Sequence, residues 1–178
     1  MAVPVLKRAS PDFHWPRAAL AGIVAGVVAT VFQVGCWWLA GQPAVALLFR
    51  DARLTAAIVM GPRVLPPPPS FDASIFAAAT LVHFALSMAY GLVLCAVLSL
   101  PDERLGPWWR LFVGAAFGLI LYAVNMHGAT VAFPWFAVAR GGITVATHAV
   151  FGMVVVVAYG MWPTPAARSI QPDRSPPR

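Results

Sequence analysis

Residues 17–50 read RAALAGIVAGVVATVFQVGCWWLAGQPAVALLFR, with no Asp, Glu, Lys or Arg between the two terminal arginines. The 32 residues between them are mostly apolar. A helix rising 1.5 Å per residue crosses the hydrocarbon core with about 20 apolar residues. This stretch therefore holds one membrane span and a short interfacial piece.

Three more charge-free stretches follow, between Asp72 and Asp102, Arg110 and Arg140, and Arg140 and Arg168. They hold 29, 29 and 27 residues, enough for one span each. Backbone inside lipid must satisfy its own hydrogen bonds, so the spans are helices. The expected fold class is an all-α membrane protein with four transmembrane helices at 18–40, 74–99, 110–131 and 142–162. Composition agrees: only 10% of the 178 residues are charged, against about 25% in soluble domains. An ordinary soluble enzyme cannot cover its surface with so little charge.

Basic residues near the span ends set the expected orientation. Lys7, Arg8, Arg17, Arg104, Arg110, Arg168, Arg174 and Arg178 fall on one side, and Arg50, Arg53, Arg63 and Arg140 on the other. The eight-residue side is expected to be cytoplasmic, with both termini there, in a bacterial inner membrane. All seven tryptophans then fall at headgroup level, where amphipathic rings collect. The net charge of +6 follows from this surface and anionic lipid, so no nucleic-acid partner is expected. The first apolar run exceeds a signal peptide and lacks an A-x-A site, so it reads as an anchor. Gln33-Val-Gly-Cys36 is a poor lipoprotein box, because Gln33 stands where an aliphatic residue belongs. Depth keeps Cys36 and Cys95 from forming a disulfide.

Residues 1–17 form an expected cytoplasmic arm, and the proline-bearing 163–178 an expected disordered tail. The outer segment 41–73 starts with a largely apolar stretch, Pro43 to Met60, interrupted by Arg50, Asp51 and Arg53. It is expected to form a helix lying in the outer interface, its arginines snorkelling and pairing or gripping an anionic headgroup. Four prolines, Pro66 to Pro69, make a stiff extended piece, and Ser70 or Asp72 caps the second span.

Span one carries Gly22-x3-Gly26-x6-Gln33 and span three Gly114-x3-Gly118-x6-Asn125, all offset by 92. Spans two and four carry His83-x3-Ser87 and His148-x3-Gly152, offset by 65. Two duplicated two-helix units are one reading. The other is chance, since small-x3-small recurs in membrane helices.

Helical geometry at 100° per residue puts Gly22, Gly26, Ala29, Gln33 and Cys36 on one stripe of span one. Gly114, Gly118, Tyr122 and Asn125 share one in span three. These are expected packing faces, and Ser87 of span two and Gly152 of span four are expected packing positions too. Gln33, His83, Asn125 and His148 all fall about 10–15 Å below the outer surface, which predicts one polar layer. In a regular helix His127 points away from it. The layer reads first as polar glue, each histidine bonding Gln33 or Asn125 across the bundle. Alternatives are a haem or transition-metal site on His83 and His148, with Cys36 as a third ligand, or a proton or ligand path. For haem, Ser87 and Gly152 would leave room for the ring. No Asp or Glu lies inside a span, unlike most cation-coupled carriers. The familiar soluble-enzyme motifs are missing from the sequence. Gly141-Gly142 reads as a hinge or helix entry rather than a phosphate cradle.

Four pieces resemble the YagU-like small four-span bacterial inner-membrane proteins: Ala21 to Thr30, His83 to Cys95, the span-three histidine, and His148 beside Phe151-Gly152. The resemblance covers about residues 18–162. It implies an inner-membrane location and no catalytic residues. Similar short proteins carry a symporter label, which the carboxylate-free spans do not favour. The functional expectation is a non-enzymatic helix bundle, a homo-oligomer or accessory subunit packed through glycine faces. A redox or metal protein and a small carrier are the alternatives.

Overall fold

The computed structural model describes residues 13–99 and 106–161. Its helices are α1 (Trp15–Leu39), α2 (Ala44–Met60), α3 (Ala73–Ser99), α4 (Pro107–Ala123) and α5 (Gly142–Met161). Among the described residues, four helical stretches are long and apolar enough to cross a membrane: α1, α3, α5, and α4 continued through Val131. The chain is thus a multi-pass, all-α membrane protein, with span ends within three residues of those expected. The expected cytoplasmic arm up to Asp12, the 163–178 tail and Trp162 lie outside the described residues.

The spans pack in the order α3–α1–α5–α4, and α3 and α4 barely touch. The central helix α1 buries Ala18, Ala21, Gly22, Ala25, Gly26 and Ala29. Their 3–4 spacing is one continuous small-residue stripe. Apolar burial does not drive helices together in lipid, so close backbone approach and dispersion must do it. The glycines supply that approach. Gly22 lies against the Ser87 carbonyl, and Gly91 against Ala18 and Gly22, closing α1 on α3. Gly114 and Gly152 face each other, and Gly118 abuts the His148 carbonyl, closing α4 on α5. These glycine faces are therefore spent inside one chain and are not free for assembly as expected. The Gly22–Ser87 and Gly114–Gly152 approaches sit at corresponding positions of the two halves. Any two small-x3-small pairs give this likeness, so it does not establish a duplication.

At the end of the bundle away from the termini, which we call distal, α2 docks on α3. Ala56 and Ala57 pack with Val64, Ile75 and Ala79. Phe49, Phe71 and Phe76 form a ring cluster with centroids 5.8–6.5 Å apart. Asp72, not Ser70, caps α3: its Oδ1 accepts from the Ser74 and Ile75 N–H groups at 2.9 and 3.1 Å. The Ser74 hydroxyl adds a third bond at 2.6 Å. Span three is not a regular helix. After Ala123 it widens into a π turn, Val124–Gly128, and continues through 3₁₀ turns at 129–131 and 134–139.

Candidate functional site

The expected polar layer divides into separate pairs. Gln33 does not meet a histidine; its side-chain amide donates to Asp51 Oδ2 at 3.3 Å. The reason is α2, which docks closely enough to present Asp51 to α1. Asn125 Oδ1 accepts from the Tyr90 hydroxyl at 2.8 Å, linking α3 to the π turn. His83 Nε2 stands 3.4 Å from the Gly26 carbonyl and 3.5 Å from Thr30 Oγ1, in the α1–α3 seam. His148 Nδ1 lies 2.8 Å from the carbonyl of Thr144 on its own helix. Its ring packs edge-on against Tyr122 with centroids 5.6 Å apart.

The structure thus places His83 and His148 in different helix pairs. Beside Ser87 and Gly152, where a haem ring was given room, the backbones of Gly22 and Gly114 fill the space. Cys36 and Cys95 are free thiols, as depth required, and Cys36 has no histidine bonded to it. No three His, Cys, Asp or Glu side chains cluster with metal-ligand geometry among the described residues.

His127 departs from its expected place. A π turn adds a residue to the turn, which rotates every later side chain about the helix axis. His127, five residues after Tyr122, now lies edge-on to that ring with centroids 5.6 Å apart. Tyr122 is therefore flanked by two histidines. The adjacent glycine, Gly128, and the Pro134 break were the sequence signals of this irregularity.

The distal cap carries the densest polar chemistry. Arg50 pairs with Asp51, Nε and Nη2 both 2.8 Å from Oδ1. Burial raises the Asp51 carboxyl above the ordinary 3.8, while Arg50 and then Gln33 oppose it. The exposed Asp72 carboxyl is lowered, chiefly by the Ser74 hydroxyl and then the Ile75 N–H. Arg53 does not snorkel outward: it donates to the Val64 and Ser70 carbonyls at 2.8 and 3.2 Å, lacing 61–72 to α2. Arg140 Nε donates to the Met126 carbonyl at 2.7 Å, and Nη2 to Thr130 Oγ1 at 3.1 Å. It thereby ties the entry of α5 to the π turn and the 129–131 turn that follows it. The Trp135 indole N–H reaches the Leu54 carbonyl at 3.0 Å, tying the 134–139 turn to α2. Trp37, expected at headgroup level, is only 5% exposed.

A partly open cavity of about 160 Å³ lies in this cap. The end of α1, the start of α2 and the entry to α5 enclose it, through Trp37, Gln42, Arg50, Arg140, Gly141 and Gly142 among others. Sequence reasoning groups Arg50 with Arg53; the fold instead pairs it with Arg140, 90 positions away. No protein-family model, curated protein or solved structure matches the chain.

Proposed function

We propose that the chain is a non-enzymatic subunit of a bacterial inner membrane, with both termini cytoplasmic, acting by association with copies of itself or with other membrane subunits. One observation carries this reading: the polar side chains of the spans are largely committed within the chain. Thr30, Thr80, Ser99 and Thr147 return to carbonyls four residues back, and His148 does likewise. Tyr90 takes Asn125. Such bonds fix a bundle rather than present groups to a reacting substrate. The eight-to-four basic bias supports the orientation. The resemblance to YagU-like proteins supports the location.

With the glycine faces occupied internally, association falls to the flanks of the row. There α3 exposes Leu81, Val93 and Val97, and α4 exposes Phe112, Leu119 and Ile120. Native mass spectrometry of protein ejected directly from membrane vesicles tests the proposal. A discrete homo-oligomer, or one stoichiometric membrane partner, is expected. A monomer carrying only lipid overturns it.

A further inference from the structure

The distal cavity has the chemistry of an anion site. Arg50 and Arg140, from distant parts of the chain, are among the residues that line it. Arg50 spends Nε and Nη2 on Asp51, and Arg140 spends Nε and Nη2 on Met126 and Thr130. Each keeps one terminal nitrogen, Nη1, without a protein acceptor among the described residues. Counting Asp51, the three charged groups leave one net positive charge.

The entry to α5 adds donors. The first backbone bond of this helix runs from Val145 N–H to the Gly141 carbonyl. The N–H groups of Gly142, Ile143 and Thr144 therefore have no helical acceptor. The Thr144 hydroxyl does not cap them, since it donates to the Ala139 carbonyl at 2.7 Å. A Cβ at Gly141 or Gly142 would meet nothing within 4 Å, so the approach to these donors is open. The positive end of the α5 dipole points the same way. Gln42, on the rim, contributes an uncharged amide.

From these observations we infer that the distal cavity binds a phosphate monoester or diester group, held by Arg50, Arg140 and the α5 entry. Its volume of about 160 Å³ equals that of roughly five liquid waters, room for a phosphate and the first atoms of its substituent. The shared chemistry comes from a lipid headgroup or from free phosphate. The lipid is the expected source, because Trp38 and Leu39, next to cavity-lining Trp37, are 73% and 78% exposed. They place exposed apolar side chains beside the part of α1 that lines the cavity.

This inference is independent of any partner subunit. Its test uses the full chain in nanodiscs of phosphatidylcholine, with either a minor fraction of phosphatidic acid or inorganic phosphate titrated from outside. Native mass spectrometry reads the retained lipid, and a thermal-unfolding titration reads free phosphate. Retention of one phosphatidic acid per chain above phosphatidylcholine is expected; a saturable phosphate response instead assigns the site to free phosphate. Gln42→Glu, which adds a negative charge at the rim and removes no bond of the fold, is expected to weaken retention about tenfold. Arg140→Gln should weaken it at least as much, and Gln42→Glu covers the case in which that variant fails to fold. Equal retention of both lipids with no phosphate response, or full retention in a folded Gln42→Glu variant, overturns the inference.

Discussion

Replacing Gly114 with alanine tests how the bundle is held. A Cβ there would stand 2.6 Å from the Gly152 carbonyl oxygen and 2.8 Å from Val156 Cγ2. Ordinary van der Waals contact begins near 3.4 Å, so α4 and α5 must part by about 0.8 Å. A gap of that size forfeits roughly a quarter to a half of each dispersion contact across the seam. Overpacking of this kind costs about 1–3 kcal/mol. Alanine returns up to about 1 kcal/mol through helix propensity, leaving a net loss of up to about 2 kcal/mol and a deficit of about 1–3 kcal/mol against a glycine replaced in open space. Gly35→Ala and Gly160→Ala are matched controls, because a Cβ at either position meets nothing within 4 Å. They should be neutral or slightly stabilising. Equilibrium unfolding in mixed micelles, followed by tryptophan fluorescence, separates the two classes. Oligomer mass should be unchanged in every folded variant, since these seams are internal. Gly114→Ala as stable as Gly35→Ala would refute the reasoning.

Tyr90→Phe should cost about 0.6 kcal/mol, the usual worth of an intramembrane hydrogen bond. A double-mutant cycle with Asn125→Ala should recover that energy as coupling, and additive losses would show that the bond contributes nothing. Arg140→Gln removes two donors from the π-turn region and should speed hydrogen exchange across residues 124–131, leaving α1 unchanged. The two distal carboxylates should respond to acid with opposite signs. Asp72 has a lowered folded pKa, so its stabilisation is present above its unfolded value of about 3.9 and is lost as pH falls through the folded pKa. Asp51 has a raised folded pKa, so stability increases as pH falls from that value towards 3.9, and is lost as pH rises. Exchange at Ser74–Phe76 should therefore quicken below about pH 4, and Asp51→Asn should abolish the gain that acidification brings as pH falls through the raised folded pKa of Asp51.

The spans were legible because lipid imposes a simple rule: about 20 apolar residues without charge. Gly22, Gly26, Gly114 and Gly118 were legible as packing positions for a similar reason, since each falls on a stripe at 3–4 spacing. The partners of those faces were not legible, because a stripe of small residues has the same sequence pattern whether it meets its own chain or another. The polar layer failed where an unseen element intervened. Gln33 goes to Asp51 because the outer helix α2 docks against α1, a contact between elements that the pattern of either one does not report. His127 faces Tyr122 because a π turn shifts the register, and hydrophobic periodicity does not report one extra residue in a turn. The Arg50–Arg140 cavity depends on three chain segments meeting, which local patterns do not encode.

The central claim is a four-span bundle with its cap on the side opposite the termini. Single cysteines at Ser70, Ala132 and Gly106, in a chain whose Cys36 and Cys95 are replaced by alanine, test it most directly. In sealed vesicles of one orientation, a membrane-impermeant thiol reagent should label Ser70→Cys and Ala132→Cys from one side and Gly106→Cys only from the other. Labelling of all three from a single side, or of Ser70→Cys and Ala132→Cys from opposite sides, would contradict the account.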